Sequence, residues 1–160
     1  MHVSDQTDVR WLDESEARAW RTLQIMQMQL TARISRDLVE TSDLSYPDYL
    51  VLVALTSRPD GRMRLFELAA ALGWEKSRLS HHVARMGERG LVGKEQCDED
   101  RRGAFVVVTK PGRKAIEAAA PRHVETVRRL FVDRLTPRQL DAVAVAAEAV
   151  LAGLGNDDEE

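Results

Sequence analysis

A mainly α-helical fold with a small β-hairpin wing, a winged helix-turn-helix with terminal helices that form a dimerisation region, is predicted by three observations. They are a basic amphipathic helix over residues 76 to 89, a change of apolar period from about 3.6 residues to about 2 just after it, and long apolar-striped helices at both ends of the chain. In the central helix Leu79, Val83 and Met86 fall at i, i+4 and i+7 and make one packing stripe. Arg78, His81, His82, Arg85 and Arg89 recur on the other side, with no carboxylate before Glu88. That outer face suits phosphate oxygens and guanine edges.

The chain has 160 residues, 44% hydrophobic and 31% charged, which is enough for a core without disulfide staples. No apolar run reaches the roughly eighteen residues of a membrane span. The N-terminus, Met1 to Asp8, lacks the basic start and apolar core of a signal peptide, and the single Cys97 has no intramolecular partner. A reducing cytoplasm is the expected compartment. The net charge of -3 hides an asymmetry: from Arg62 to Lys114, twelve Lys and Arg stand against seven Asp and Glu. A local positive footprint is what phosphate neutralisation requires.

Taken in order, Asp13-Glu14-Ser15-Glu16 opens a long helix to about Glu40, with an acidic first turn that suits the helix dipole. Trp20, Leu23, Met26 (or Gln27), Leu30, Ile34 and Leu38 trace one stripe, and Ile25, Met28, Ala32 and Val39 add apolar surface beside it, more than one packing face needs. Ser45 caps a second helix, with Asp48 in the reciprocal position and Pro47 in the first turn. Leu65 to Leu72 forms a short third helix, and Gly73 and Trp74 make the turn before the basic helix. Leu91 to Cys97 and Ala104 to Thr109 read as strands around a polar tip, Asp98 to Gly103. Lys110-Pro111-Gly112 leads into a helical pattern through Leu135 that Pro121 should kink or split. Thr136-Pro137-Arg138-Gln139 is a second capping box, opening a last helix through Leu140, Val143, Ala147, Val150 and Leu154. The division expected is 13–42 and 112–155 for dimerisation and 44–110 for the winged helix-turn-helix, with 1–10 and 156–160 disordered.

Three stretches carry a family resemblance over nearly the whole chain. They are Leu68-Ala69 leading to Leu72-Gly73, then Ser77 to Met86 followed by Arg89-Gly90-Leu91-Val92, then Asp100-Arg101-Arg102 leading to Val106-Val107-Val108-Thr109 and Gly112. In this order they resemble the MarR family of bacterial transcriptional regulators. Val108 departs from the usual leucine before the threonine, and Leu65 stands where a polar cap commonly opens the third helix. The resemblance implies a homodimer, formed by the first and last helices, that binds double-stranded DNA at a palindromic operator with half-sites about one helical turn apart.

Within that frame Ser77, Arg78, Ser80, His81 and His82 are expected at base edges and nearby phosphates, because the start of a recognition helix goes deepest. Lys76, Arg85 and Arg64 suit the DNA backbone. Arg102, or else Arg101, is expected in the minor groove, and the family's wing motif uses Asp100 to hold that guanidinium extended. Family members commonly bind a small aromatic effector near the dimerisation helices, for which Trp20, Met26 and Tyr49 are the candidate lining; residues of these types at helical spacing also serve as plain core. No cofactor or metal is expected. The acidic neighbours of Cys97 raise a thiol pKa and argue against a redox role. An enzyme is a poor fit, because Ser80 and the adjacent histidines point apart on a helix. RNA binding fits poorly as well, because an A-form major groove excludes a helix. A winged-helix module that binds protein instead of DNA is the remaining alternative.

Overall fold

The computed structural model describes residues 9–96 and 104–157. Its elements run α1 (Glu14–Thr41), α2 (Tyr46–Thr56), β1 (Arg62–Arg64), α3 (Leu65–Leu72), α4 (Lys76–Glu88), β2 (Val92–Glu95), β3 (Phe105–Val108), α5 (Lys110–Leu130), a 3-10 turn (Val132–Arg134) and α6 (Pro137–Asp157). By contacts the chain divides within α1, into Met1–Arg33 and Ile34–Glu160. No helix of the described residues is long and apolar enough to cross a membrane.

The expected caps form. Ser45 Oγ accepts from the Asp48 N–H at 3.1 Å while Asp48 Oδ2 accepts from the Ser45 N–H at 2.9 Å. Thr136 and Gln139 repeat the exchange at α6, at 3.2 and 2.9 Å. Each exchange satisfies two backbone donors that a helix start leaves open. At α3, where Leu65 offers no cap, Glu67 Oε2 accepts from the Arg64 N–H at 3.2 Å and supplies half of one.

Val51, Leu52 and Leu55 of α2, Leu68 of α3, Leu79, Val83 and Met86 of α4 and Val106 of β3 are buried to 1% exposure or less and form the core of the second unit. The stripe foreseen on the basic helix is therefore its packing face. Between α3 and α4, Gly73 turns the chain with φ 64°, a left-handed conformation that a side chain disfavours. At the start of α5 the constraint is space, because a Cβ on Gly112 would stand 2.0 Å from the Leu91 carbonyl oxygen.

Three features differ from expectation. The sheet has a third strand, β1, pairing antiparallel with β3 (Met63 opposite Val106) in the order β1-β3-β2. Three residues with one apolar side chain are too short for an alternating pattern to declare itself. Next, of the kink or split expected at Pro121, α5 does not show the split: Pro121 and Glu117 are both exposed, so water can meet the carbonyl that loses its donor. That helix ends at Leu130 rather than Leu135, and Val124, expected on its apolar side, is 53% exposed. Finally, α6 continues through Asn156 to Asp157, so the helix takes in two residues of the stretch expected to be disordered.

Candidate nucleic-acid interface

The helix α4 presents Lys76, Ser77, Arg78, His81 and Arg85 to solvent, with Ser80 half-buried beside them. Among the described residues no carboxylate pairs with Lys76, Arg78 or Arg85, although ion pairs are frequent elsewhere. Arg78 lies over the Trp74 ring, its guanidinium carbon 4.5 Å from the centroid, which holds the side chain along the helix start. Trp74, read from sequence only as part of the turn, is thus a platform for a basic side chain.

One side chain of the basic series turns inward, and Arg89, just past the helix, reaches the same carboxylate while its own side chain stays 44% exposed. The His82 side chain is 12% exposed, with Nε2 3.0 Å from Asp48 Oδ1 and the Trp74 ring edge-on at 5.6 Å. The imidazole N–H direction lies off the line to Oδ1, which makes the contact a close electrostatic pairing rather than an aligned hydrogen bond. On its other side His82 Nδ1 meets Arg85 Nη2 at 3.2 Å. Arg89, expected on the outer face, is exposed, and it also donates to Asp48 Oδ2 at 2.6 Å and to the Asp43 carbonyl. The physical reason is Asp48: a carboxylate only 3% exposed needs cationic and N–H partners, and the basic helix supplies them. Sequence reading found Asp48 as a cap and missed its second role, which joins residues more than thirty positions apart.

Burial by itself would raise the Asp48 pKa, but the Arg89 and Ser45 donors outweigh it and hold the carboxyl below its ordinary value. Burial lowers the His82 pKa, assisted by Arg85 and Arg78 and opposed by Asp48. The imidazole is accordingly neutral at pH 7.

At the base of the wing Arg62 and Arg64 lie against the Phe105 ring, at 4.5 and 4.8 Å. Arg62 also pairs with Asp60 and Glu95, each at 3.2 Å. Arg64 is half-buried in this cluster. Arg62 and Phe105 were not singled out from sequence, because only the β1–β3 pairing brings them together. Cys97, Asp100, Arg101 and Arg102 lie outside the described residues.

A cleft of about 680 Å3 opens between the end of α1, the start of α2 and α4, with Val39, Leu44 and Pro47 on one side and Trp74, Arg78 and Arg85 on the other. Of the residues expected to line an effector site, Met26 lines a hollow of about 350 Å3 within the first unit and Tyr49 one of about 240 Å3 within the second. Trp20 and Met26, in the first unit, are 55% and 39% exposed. Tyr49, in the second, is buried with its ring 4.3 Å from that of His123.

A short helix, a glycine turn, an exposed basic helix and a hairpin on the same sheet define a winged helix-turn-helix. A sequence model described as MarR family matches residues 42–103. The transcriptional regulator HosA of Escherichia coli O127:H6 is 33% identical over 123 residues, covering 76% of this chain and 86% of that protein. Among solved structures, AbsC, a MarR family transcriptional regulator from Streptomyces coelicolor, superimposes with a TM-score of 0.85 at 39% identity, covering 92% of this chain and 99% of that one. Sco3205 from the same organism, a MarR family regulator solved in complex with DNA, gives 0.84 at 35% identity over 90% of this chain and 94% of its own. The chain belongs to the MarR family and is a DNA-binding transcriptional regulator.

Proposed function

We propose that the protein is a homodimeric cytoplasmic repressor that reads a palindromic operator and is released from it by a small aromatic effector. The observation that carries the reading is the exposed, carboxylate-free face of Lys76, Ser77, Arg78, His81 and Arg85 on a helix whose other side is locked into the core. Arg78 and His81 suit base edges, Lys76 and Arg85 suit phosphates, and Ser77 and Ser80 can serve either. His82 is assigned to support rather than contact, and Arg64 to the wing base near the DNA backbone. The DNA complex of Sco3205 supports this use of the fold.

Dimerisation by the terminal helices is supported by what the protomer leaves uncovered. From Asp141 to Gly155 every residue of α6 is exposed, including Val143, Val150 and Leu154 on one stripe. Trp20, Leu23, Ile25 and Met28 of α1 are exposed as well. Apolar stripes of this extent on a monomer mark an association surface. The cleft beside α4 is the place we assign to the effector, because an occupant there competes with DNA for Arg78 and Arg85.

Selection of bound duplexes from a random DNA pool by the purified protein, at fixed moderate salt, tests the reading. The expected result is a palindrome with half-sites about one turn, roughly 34 Å, apart. Arg78→Ala is expected to relax one or two positions of each half-site; equal weakening on all sequences would make Arg78 a phosphate contact. No enrichment by a folded protein would favour the protein-binding module.

The wing arginine has its own signature. Arg102→Ala is expected to weaken operator binding about 5- to 100-fold and to remove any preference for A·T-rich flanks, with the dimer intact. Unchanged affinity in a DNA titration would rule out the minor-groove role.

A further inference from the structure

We propose that Asp48 and His82 are positioning residues that hold Arg85 of the recognition helix in the pose in which it meets DNA. The inference rests on the reading of Arg85 as a phosphate contact. A guanidinium carries only donors, so the 3.2 Å contact from Arg85 Nη2 requires a lone pair on His82 Nδ1. The proton of the neutral ring then sits on Nε2, the nitrogen 3.0 Å from Asp48 Oδ1. The charge of the buried carboxylate beside Nε2 favours this tautomer, although that N–H is not aligned on it, and the tautomer presents an acceptor to the arginine.

The order of exposure along this line matches such a role. The Asp48 side chain is 3% exposed and the His82 side chain 12%, while Arg85 is exposed. Asp48 is itself held by the Ser45 N–H and by Arg89, so the inner end of the line cannot swing. Fixity passes outward from the core to a long side chain that would otherwise sample many rotamers. An arginine already held near its bound pose loses less freedom when it meets a phosphate.

A double-mutant cycle with operator DNA decides the matter, each protein being checked for folding by thermal unfolding and for dimer mass. His82→Leu is expected to weaken binding about three- to tenfold, the size of one side chain's ordering cost. His82→Gln, whose amide offers both a donor toward Asp48 and an acceptor toward Arg85, is expected to come back to within about twofold of the native protein. In an Arg85→Ala background His82→Leu should cost nothing more, because nothing is left to position. An equal loss in that background would overturn the proposal and make His82 a contact or a packing residue in its own right. Asp48→Asn, which keeps an acceptor for the Ser45 N–H but no charge, gives a second route: its loss of affinity is also expected only when Arg85 is present. If Arg85→Ala alone binds like the native protein, the phosphate reading fails, an outcome distinct from failure of the positioning line.

Discussion

Val150→Glu is expected to abolish the dimer and to lower operator affinity by about 10²- to 10⁴-fold, the advantage of engaging two half-sites together. The residue is 63% exposed in the protomer, on the stripe shared with Val143 and Leu154. A charge at an exposed helix position of a free protomer changes stability by no more than about 0.5 kcal/mol. Buried against a partner helix, the same carboxylate costs several kcal/mol or must take up a proton. The contrast makes the experiment selective: light scattering should show the protomer mass, circular dichroism should show the helical content retained, and DNA titration should show the loss. A dimer of unchanged mass that binds as before would remove α6 from the interface.

Asp48→Ala is the substitution expected to cost the fold most for its size, about 2–4 kcal/mol. It removes the reciprocal cap of α2 and leaves Arg89 and His82 without the carboxylate that draws them in. Thermal or denaturant unfolding at fixed protomer concentration measures the loss. The sign of its pH dependence follows from the lowered pKa of Asp48. A depressed folded-state value stabilises the fold above the ordinary carboxylate range, and that stability disappears as pH falls through the folded value. The gap between native and variant proteins should therefore be full near neutrality and close below about pH 4. His82, with its pKa lowered by burial, adds an acid sensitivity that starts higher, as pH falls below its ordinary value, because the unfolded ring takes up a proton the folded one resists. A gap that stays constant into acid would show that Asp48 acts through packing rather than charge.

The legible parts of this chain are those carried by short-range pattern. Ser45 with Asp48 and Thr136 with Gln139 announce helix starts, because capping is an exchange between residues three apart. Leu79, Val83 and Met86 announce a buried face, because helical geometry alone aligns them. The bases of α4 could be placed on a helix but not oriented one by one: a period of about 3.6 separates two faces and leaves residues at their border, such as His82 and Arg89, undecided. The inner strand pair showed as alternation, whereas β1 did not, since one buried Met63 between two arginines carries no period.

By itself, then, the sequence determined the order of the helices, their capped starts, the glycine turn before the basic helix and the basic character of the outer face, all consequences of contacts within about four residues. Only the tertiary structure decided which side chains of that face are engaged by a partner from the core. The choice was made by Asp48, a carboxylate that packing removes from water 34 positions before His82 and 41 before Arg89, and a buried charge recruits partners by distance in space, which sequence spacing does not record.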